Sequence, residues 1–255
     1  MRNPEELRDL AEEYLRDLAL TPELGALEEP IRYAVESGKR VRAVICLATA
    51  EAAGAEPESA LPAAASLELV HAFSLVHDDL PALDNDAERR GRASAWAEYG
   101  EAVAVLAGDA LLAEAFRLAL SYPFPHVGRE LAQATLGMIG GQYLDVTATA
   151  PDEATLHKLK TGCLFAASVG LALWAAEVPE REQGPWRAFG DELGLLFQIV
   201  DDILDGDGYV LTHGADGARR LADEAAERAH ARLGAIDADT SVLADIVSGL
   251  ATRTA

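Results

Sequence analysis

Residues 67–86, LELVHAFSLVHDDLPALDND, decide how the rest of the chain is read. The first ten are apolar apart from Glu68, His71 and Ser74. The last ten crowd four carboxylates and an amide around Leu80-Pro81. His71, Ser74 and Asp78 recur at steps of three and four, so a helix sets them on one face. Pro81 has no N–H and disfavours helix for the residue before it, so the helix should loosen at Leu80. In a straight helix Asp84 would stand well round from Asp78, because six residues are not a whole number of turns. A break at Leu80-Pro81 would return Asp84 to the side of Asp78 and Asp79. The stretch reads either as a solvated helix end or as carboxylates gathered for cations. Carboxylates are unfavourable at a helix C-terminus, which weakens the first reading.

A second cluster, FQIVDDILD at 197–205, sharpens the choice. Leu196, Ile199, Val200 and Ile203 form a buried stripe, and Gln198, Asp201, Asp202 and Asp205 share the other face. Asp201 and Asp205 are one turn apart, where like charges oppose a helix, and no Lys or Arg is interleaved. Hard oxygen ligands without a cysteine or histidine cluster point to Mg²⁺, which is held by one or two carboxylates plus substrate phosphates. The inferred ligand is a diphosphate bridging both clusters through metal ions. Three cationic islands would face it. ESGKRVR supplies Lys39, Arg40 and Arg42, ERRGR supplies Arg89, Arg90 and Arg92, and KLKTG supplies Lys160 and Thr161. Each island alone reads equally well as a surface patch.

The whole chain fits this picture. Of its 255 residues half are hydrophobic and 6% aromatic, with alanine and leucine dominant, a composition that favours helices. A net charge of −22 removes the footprint of a nucleic-acid binder and any charge-driven attachment to an anionic membrane. Two cysteines in apolar runs, Cys46 and Cys163, argue for free thiols. The start MRNPEELRDL has no signal-peptide core, and the uncharged run 161–176 is short for a membrane span. The expectation is a soluble, cytoplasmic protein with no stable membrane insertion. Helical periodicity covers roughly 4–20, 26–53, 57–79, 93–120, 126–147, 152–178, 184–206, 215–233 and 238–252, punctuated by Pro and Gly. Ser37-Gly38 would kink or split the second of these. No strand alternation and no domain boundary appear. The reading is one all-α domain, 1–255, a helical bundle with a central cavity.

In order and spacing, GKRVR, LVHAFSLVHDDLPALDND…RRG, LAGDALL, GGQYLD, KLKTG and FQIVDDILD resemble the trans-isoprenyl diphosphate synthases, the family of farnesyl and geranylgeranyl diphosphate synthases. The resemblance spans roughly 26–235 and implies an isoprenoid-synthase-like bundle that joins isopentenyl diphosphate to an allylic diphosphate. It implies that Asp78 and Asp84, with Asp79 in support, hold two Mg²⁺ ions, and that Asp201, beside Asp202 and Asp205, holds a third. It implies that Arg89 contacts the allylic diphosphate and that Lys39, Arg42, His71 and Arg90 hold isopentenyl diphosphate. Lys160, Thr161 and Gln198 would line the reacting carbon end. Phe73 and Ser74, one turn below Asp78, would set product length, with Phe73 resembling the farnesyl-type arrangement. A homodimer is also implied.

The resemblance breaks after Asp205, where GDGYVLTHGADGARR has no Lys or Arg before Arg219. A longer lysine-bearing lid is usual there. Ala43 and GRAS depart from the family's usual prolines. A geranylgeranyl product, or a weakly active or non-catalytic subunit, therefore stays open beside the farnesyl reading. One rival lies in another class: Glu68-x-x-His71 and Glu227-x-x-His230 repeat the element of di-iron bundles.

Overall fold

Asn3 starts the first helix with a capping box. Its Oδ1 accepts the N–H groups of Glu5 (2.9 Å) and Glu6 (3.0 Å), and Glu6 Oε2 accepts the Asn3 N–H (2.8 Å). Helix α1 (Pro4–Arg16) buries Leu7, Ala11 and Leu15. It ends before the expected Leu20, where Arg32 donates to the carbonyls of Arg16 (3.0 Å) and Leu18 (3.1 Å). The computed structural model describes residues 1–36 and 38–253, the side chains of Glu153 and Ala154 excepted. In it α1 is followed by α2 (Glu28–Val35), α3 (Val41–Ala52), α4 (Leu61–Asp78), α5 (Ala95–Tyr99) and α6 (Glu101–Ala119). Then come α7 (His126–Val146), α8 (Glu153–His157), α9 (Cys163–Ala175), α10 (Gly184–Asp205), α11 (Tyr209–Gly234) and α12 (Ser241–Ala251).

The all-α expectation holds, and the departures from it fall at identifiable residues. The helix expected over 26–53 divides into α2 and α3. Ser37 lies outside the described residues, and Arg40 takes a left-handed φ of 52° just before α3. Arg40 is buried, pairs with Glu12 (2.9 and 3.2 Å), donates to the Val35 carbonyl, and stands 3.7 Å from Glu68. It therefore latches α1, α2 and α4 together. Gly100, at φ 87°, separates α5 from α6 within the helix expected over 93–120. Lys158–Gly162 forms a π-turn between α8 and α9, a distortion often found at functional sites. Gly214 (φ 72°, ψ 161°) kinks α11 after its first turn.

One correction concerns strands, none of which was expected. Glu88–Arg89 and Arg92–Ala93 pair antiparallel as β1 and β2, with Arg90-Gly91 as a two-residue turn. Both turn residues have positive φ (56° and 77°), the combination of a type I′ hairpin. Two-residue strands are too short to show alternation in the sequence.

The core sits on α3, α4 and α9, which are apolar nearly all round and buried accordingly. Among the described residues, Pro57–Asp78 is the one helical stretch long and apolar enough to cross a membrane, and it is mostly buried by other helices. Helix α6 packs along α4, α7 and α10 pack on α9, and α11 packs on α10. The C-terminal ends of α4 and α10 carry the two acidic clusters.

Candidate active site

At the end of α4 the chain folds back on itself. The Leu80 carbonyl accepts the N–H groups of Leu83 (2.9 Å) and Asn85 (3.1 Å), and Asn85 takes a left-handed φ of 56°. The Asp84 N–H reaches the Asp78 carbonyl at 2.9 Å, and the Asp86 N–H reaches that of Asp79 at 3.1 Å. Asp84 is thus returned to Asp78 through the backbone. The carboxylates then diverge in environment. Asp79 is buried, and Arg89 Nε donates to both its oxygens at 2.7 and 2.8 Å. This pairing raises the Arg89 guanidinium above its ordinary pKa and fixes its place on the hairpin. Asp78 is half-buried and Asp84 exposed, so these two remain open to a ligand.

Burial, reinforced by Asp84, pushes the Asp78 carboxyl up to about 6, against the pull of Lys160 and Arg89. Its proton is held more tightly in the fold than in the open chain. The stabilisation this gives is full at acid pH and is lost as pH rises through about 6. Above that pH the ionised group costs stability unless a cation neutralises it. Asp201 is raised for the same reasons, burial first and then Asp205. A cation held by these carboxylates would have to displace these protons. The Mg²⁺ concentration giving half-maximal binding of a diphosphate should therefore rise by at least about tenfold per pH unit below 6. Calorimetry at pH 5 and pH 7.5 checks this, and equal affinities would refute it.

Two adjoining cavities meet beside these groups. One, of about 600 Å³, is lined by Asp78, Arg89, Arg90, Lys160 and Thr161 at its polar end and by Phe73, Ser74, Met138, Ile139 and Leu164 deeper in. The other, of about 470 Å³, is lined by Lys39, Arg90 and Arg253. Arg42, His71, Phe197 and Asp201 line both. Most of the expected site residues therefore converge. Another cavity, about 940 Å³ over α1 and α2, contains Arg40 alone of the expected cations, and its Arg40–Glu12 and Arg32–Glu28 pairs satisfy one another.

Arg42 lies 4.6 Å over the Phe165 ring and 6.0 Å from that of Phe197. Burial lowers its pKa, offset in part by Glu68 and Asp201. Its Nε is buried with no hydrogen-bond partner among the described residues. Burial and then Arg42, Arg90, Arg89 and Arg40 press His71 well below its ordinary range, so its imidazole is neutral. Lys160 sits in the π-turn and pairs with Asp145 on α7. That turn approaches α7 closely because α7 offers glycine. A Cβ on Gly141 would lie 2.5 Å from the Lys160 backbone nitrogen, and one on Gly137 would lie 2.6 Å from Cys163 Sγ.

Gln198, Asp202 and Asp205 are placed differently from Asp201. Asp202 is buried, accepting from Gln198 Nε2 at 2.6 Å and from the Tyr209 N–H at 2.9 Å, with His157 Nδ1 at 3.6 Å. It joins the end of α10 to the start of α11, and neither it nor Gln198 lines the cavities. Gly208, at φ 43°, admits this contact, since a Cβ there would lie 2.0 Å from Asp202 Oδ2. Asp205 is exposed at the helix end. Asp201 alone of the second cluster lines both cavities.

Gln142 and Arg253 are cavity residues to which the sequence gives no role. Gln142 lines the larger cavity, and both its amide atoms are buried without a partner among the described residues. Such groups are expensive to bury unsatisfied, so they mark a ligand position. Its signal was a polar residue at helical spacing from Met138 and Ile139. The other is Arg253, beyond α12, which no local pattern indicates. Arg219, the first Lys or Arg after Asp205, donates to the Ala251 carbonyl at 2.9 Å. Neither Arg219 nor Arg220 lines a cavity.

The donor set of the site bears on whether a divalent cation fits it. Asp78, Asp84 and Asp201 offer oxygen only, beside Arg42, whose buried Nε has no hydrogen-bond partner among the described residues. Among the described residues no three His, Cys, Asp or Glu side chains converge into a preformed metal site. An all-oxygen donor set is the chemistry that fits a hard cation such as Mg²⁺. The di-iron alternative finds no support, since Glu68 accepts the Ala43 N–H at 3.1 Å and His230 contacts Ser248 at 3.3 Å.

Fold and cavities together define an isoprenoid-synthase-type helical bundle. The family model described as Polyprenyl synthetase matches residues 25–216, and the chain belongs to that family. It is 40% identical over 193 residues to a geranylgeranyl diphosphate synthase of Cyanophora paradoxa, covering 69% of this chain and 64% of that protein. It is 43% identical over 176 residues to a (2E,6E)-farnesyl diphosphate synthase of Mycobacterium tuberculosis, covering 66% and 48%. These matches span about half to two thirds of those relatives' length. The crystal structure of a geranyltransferase from Legionella pneumophila is similar at 29% identity and a TM-score of 0.87, over 98% of this chain and 96% of that one.

Proposed function

We propose that the protein is a prenyltransferase that condenses isopentenyl diphosphate head-to-tail with dimethylallyl or geranyl diphosphate, giving farnesyl diphosphate. The observation that carries this is the pair of cavities sharing Arg42, His71 and Asp201. One is rich in cations, with Lys39, Arg40, Arg42, Arg90 and Arg253 set against the carboxylates of Glu68 and Asp201; the other runs from carboxylates to an apolar floor. Two anions, one with an oily tail, fit side by side.

In this reading Lys39, Arg42, Arg90 and Arg253 hold isopentenyl diphosphate, and His71, kept neutral, adds a hydrogen bond without further charge. Arg89, braced by Asp79, contacts the allylic diphosphate. Asp78, Asp84 and Asp201 would hold Mg²⁺, which when bound supplies charge neutralisation to the departing diphosphate. Arg89 and Lys160 add donors to the same charge as the C–O bond ionises. The Thr161 hydroxyl and the Gln142 amide oxygen face the allylic cation. The shared wall at Arg42 and Phe197 holds the isopentenyl double bond close to it, a proximity effect. The condensation product loses a proton to the released diphosphate. Met138, Ile139, Leu164 and Phe197 keep water from the cation.

Phe73, buried beneath Ser74 and Asp78, closes the tail end. Phe73→Ala should therefore shift the main product from C15 to C20 or longer, read by chromatography of the hydrolysed products. An unchanged product would remove Phe73 from the floor. The purified protein with Mg²⁺, isopentenyl diphosphate and geranyl diphosphate should form farnesyl diphosphate on its own.

A second reading, a subunit active only with a partner chain, is favoured by the segment after Asp205. It carries no cation before Arg219, and its first turn is tied down by Asp202. Product formed only after a partner chain is added would select it. The homodimer belongs to the first reading, with exposed Leu106, Leu136 and Tyr143 on α6 and α7 as its candidate contacts. Light scattering of the purified protein decides. A cytoplasmic location is part of the same proposal, resting on the free cysteines and the buried α4.

A further inference from the structure

The floor of the larger cavity is built from two rings, and the second has an unusual seat. Phe73 and His77 are one turn apart on α4 and both line the cavity. Their rings meet edge to face, 4.9 Å between centroids and 73° between planes. His77 Nε2 lies 3.1 Å from the Val105 carbonyl on α6. A carbonyl only accepts, so Nε2 carries the proton and the ring is fixed against α6. The space for it exists because residue 108 is glycine. A Cβ there would lie 2.1 Å from His77 Nε2, 2.4 Å from Cδ2 and 3.0 Å from Cε1. The glycine is helical, without a positive φ, so no turn requires it. What requires it is the imidazole.

We propose that His77, seated on Gly108, is a specificity-determining residue that holds the Phe73 ring across the tail cavity and so sets which prenyl chain fits. This rests on the prenyl-transfer reading and extends it to a residue on α6 that touches no substrate. Gly108 is then a positioning residue, acting through the His77 ring.

The two substitutions act in opposite directions. In His77→Ala the brace is lost, Phe73 gains freedom, and the cavity lengthens. In Gly108→Ala the added methyl expels the ring from α6, and its open side is the cavity, so the usable length shortens. All three close contacts of the new methyl are to His77. With the ring gone these three contacts vanish, and the double variant should behave as His77→Ala. The edge-to-face contact sets the scale, a change of about 3- to 10-fold in relative preference.

The test measures binding of geranyl, farnesyl and geranylgeranyl diphosphates with Mg²⁺ by calorimetry, together with product lengths. The expected result is a 3- to 10-fold gain for the longer ligands in His77→Ala, a loss of the same order in Gly108→Ala, and the His77→Ala pattern in the double variant. An unmodified preference in His77→Ala overturns the proposal, as does a double variant that keeps the Gly108→Ala pattern. If Gly108→Ala alone fails to fold, the other two variants still decide. A wild-type protein that binds no allylic diphosphate would instead refute the prenyl-transfer reading itself.

Discussion

Asp78→Asn should lower kcat/KM by about 10³-fold, while Asp202→Asn should stay within about tenfold of the unmodified protein. The two aspartates occupy matching places in sequence, each belonging to an Asp-Asp pair at a helix end. Their surroundings separate them. Among the described residues Asp78 lines the cavity with no ion pair of its own, only the general field of Lys160 and Arg89. Neutralising it removes a negative charge from where cations are proposed to gather, and nothing nearby replaces it. Asp202 is occupied by Gln198 and the Tyr209 N–H. Asparagine serves nearly as well as aspartate in accepting from a helix-start N–H, and the Gln198 amide can turn to match it. Steady-state rates with Mg²⁺ and both diphosphates make the comparison. Equal damage from the two substitutions would mean that Asp202 turns into the cavity during the reaction, contrary to its placement in the fold.

The second large effect is expected from a methyl group. Gly141→Ala places Cβ 2.5 Å from the Lys160 nitrogen, 2.8 Å from its Cα and 2.9 Å from the Leu159 carbonyl carbon. All three are backbone atoms, so no flexible side chain can yield, and α7 and the π-turn must separate. Overpacking of this kind costs about 1–3 kcal/mol. The displaced turn carries Lys160 and Thr161, and a shift of about 1 Å at a reacting site costs on the order of 10²-fold in rate. A Cβ on the neighbouring Gly140 would meet nothing within 4 Å. Gly140→Ala should leave the rate unchanged and stabilise by up to about 1 kcal/mol through helix propensity. Thermal melts and rates on the pair isolate the contact. A Gly141→Ala protein as active as Gly140→Ala would show that α7 and the turn are not held at this spacing.

Much of this was legible in the sequence for plain physical reasons. Apolar helices without charged faces had to be interior, and Pro81 had to end α4. Asp201 and Asp205, without cations between them, had to be compensated from elsewhere. What escaped was set by distant partners. Asp201 and Asp202 are indistinguishable by residue type, and only the start of α11, turned back by Gly206 and Gly208, draws Asp202 away from the cavity. Arg40 looked equivalent to Lys39 and Arg42 until the left-handed step before α3 buried it against Glu12. Arg253 reaches the cavity because α12 packs on α10 and α3, which no local pattern encodes. Gln142 drew no attention because a single amide on a helix is ordinary until its surroundings are seen to leave it unsatisfied.

The clasp between Asp202 and Tyr209 gives the acidic end of α10 a natural reporter. The first turn of α11 is set apart from the rest of the helix by the kink at Gly214, and a short exposed turn is the kind of segment that opens first. Its Tyr209 amide hydrogen is shielded from solvent exchange while the carboxylate receives it. The exchange rate of that one proton therefore reads out, without any label or substitution, whether occupation of the cavity tightens or releases the junction between α10 and α11.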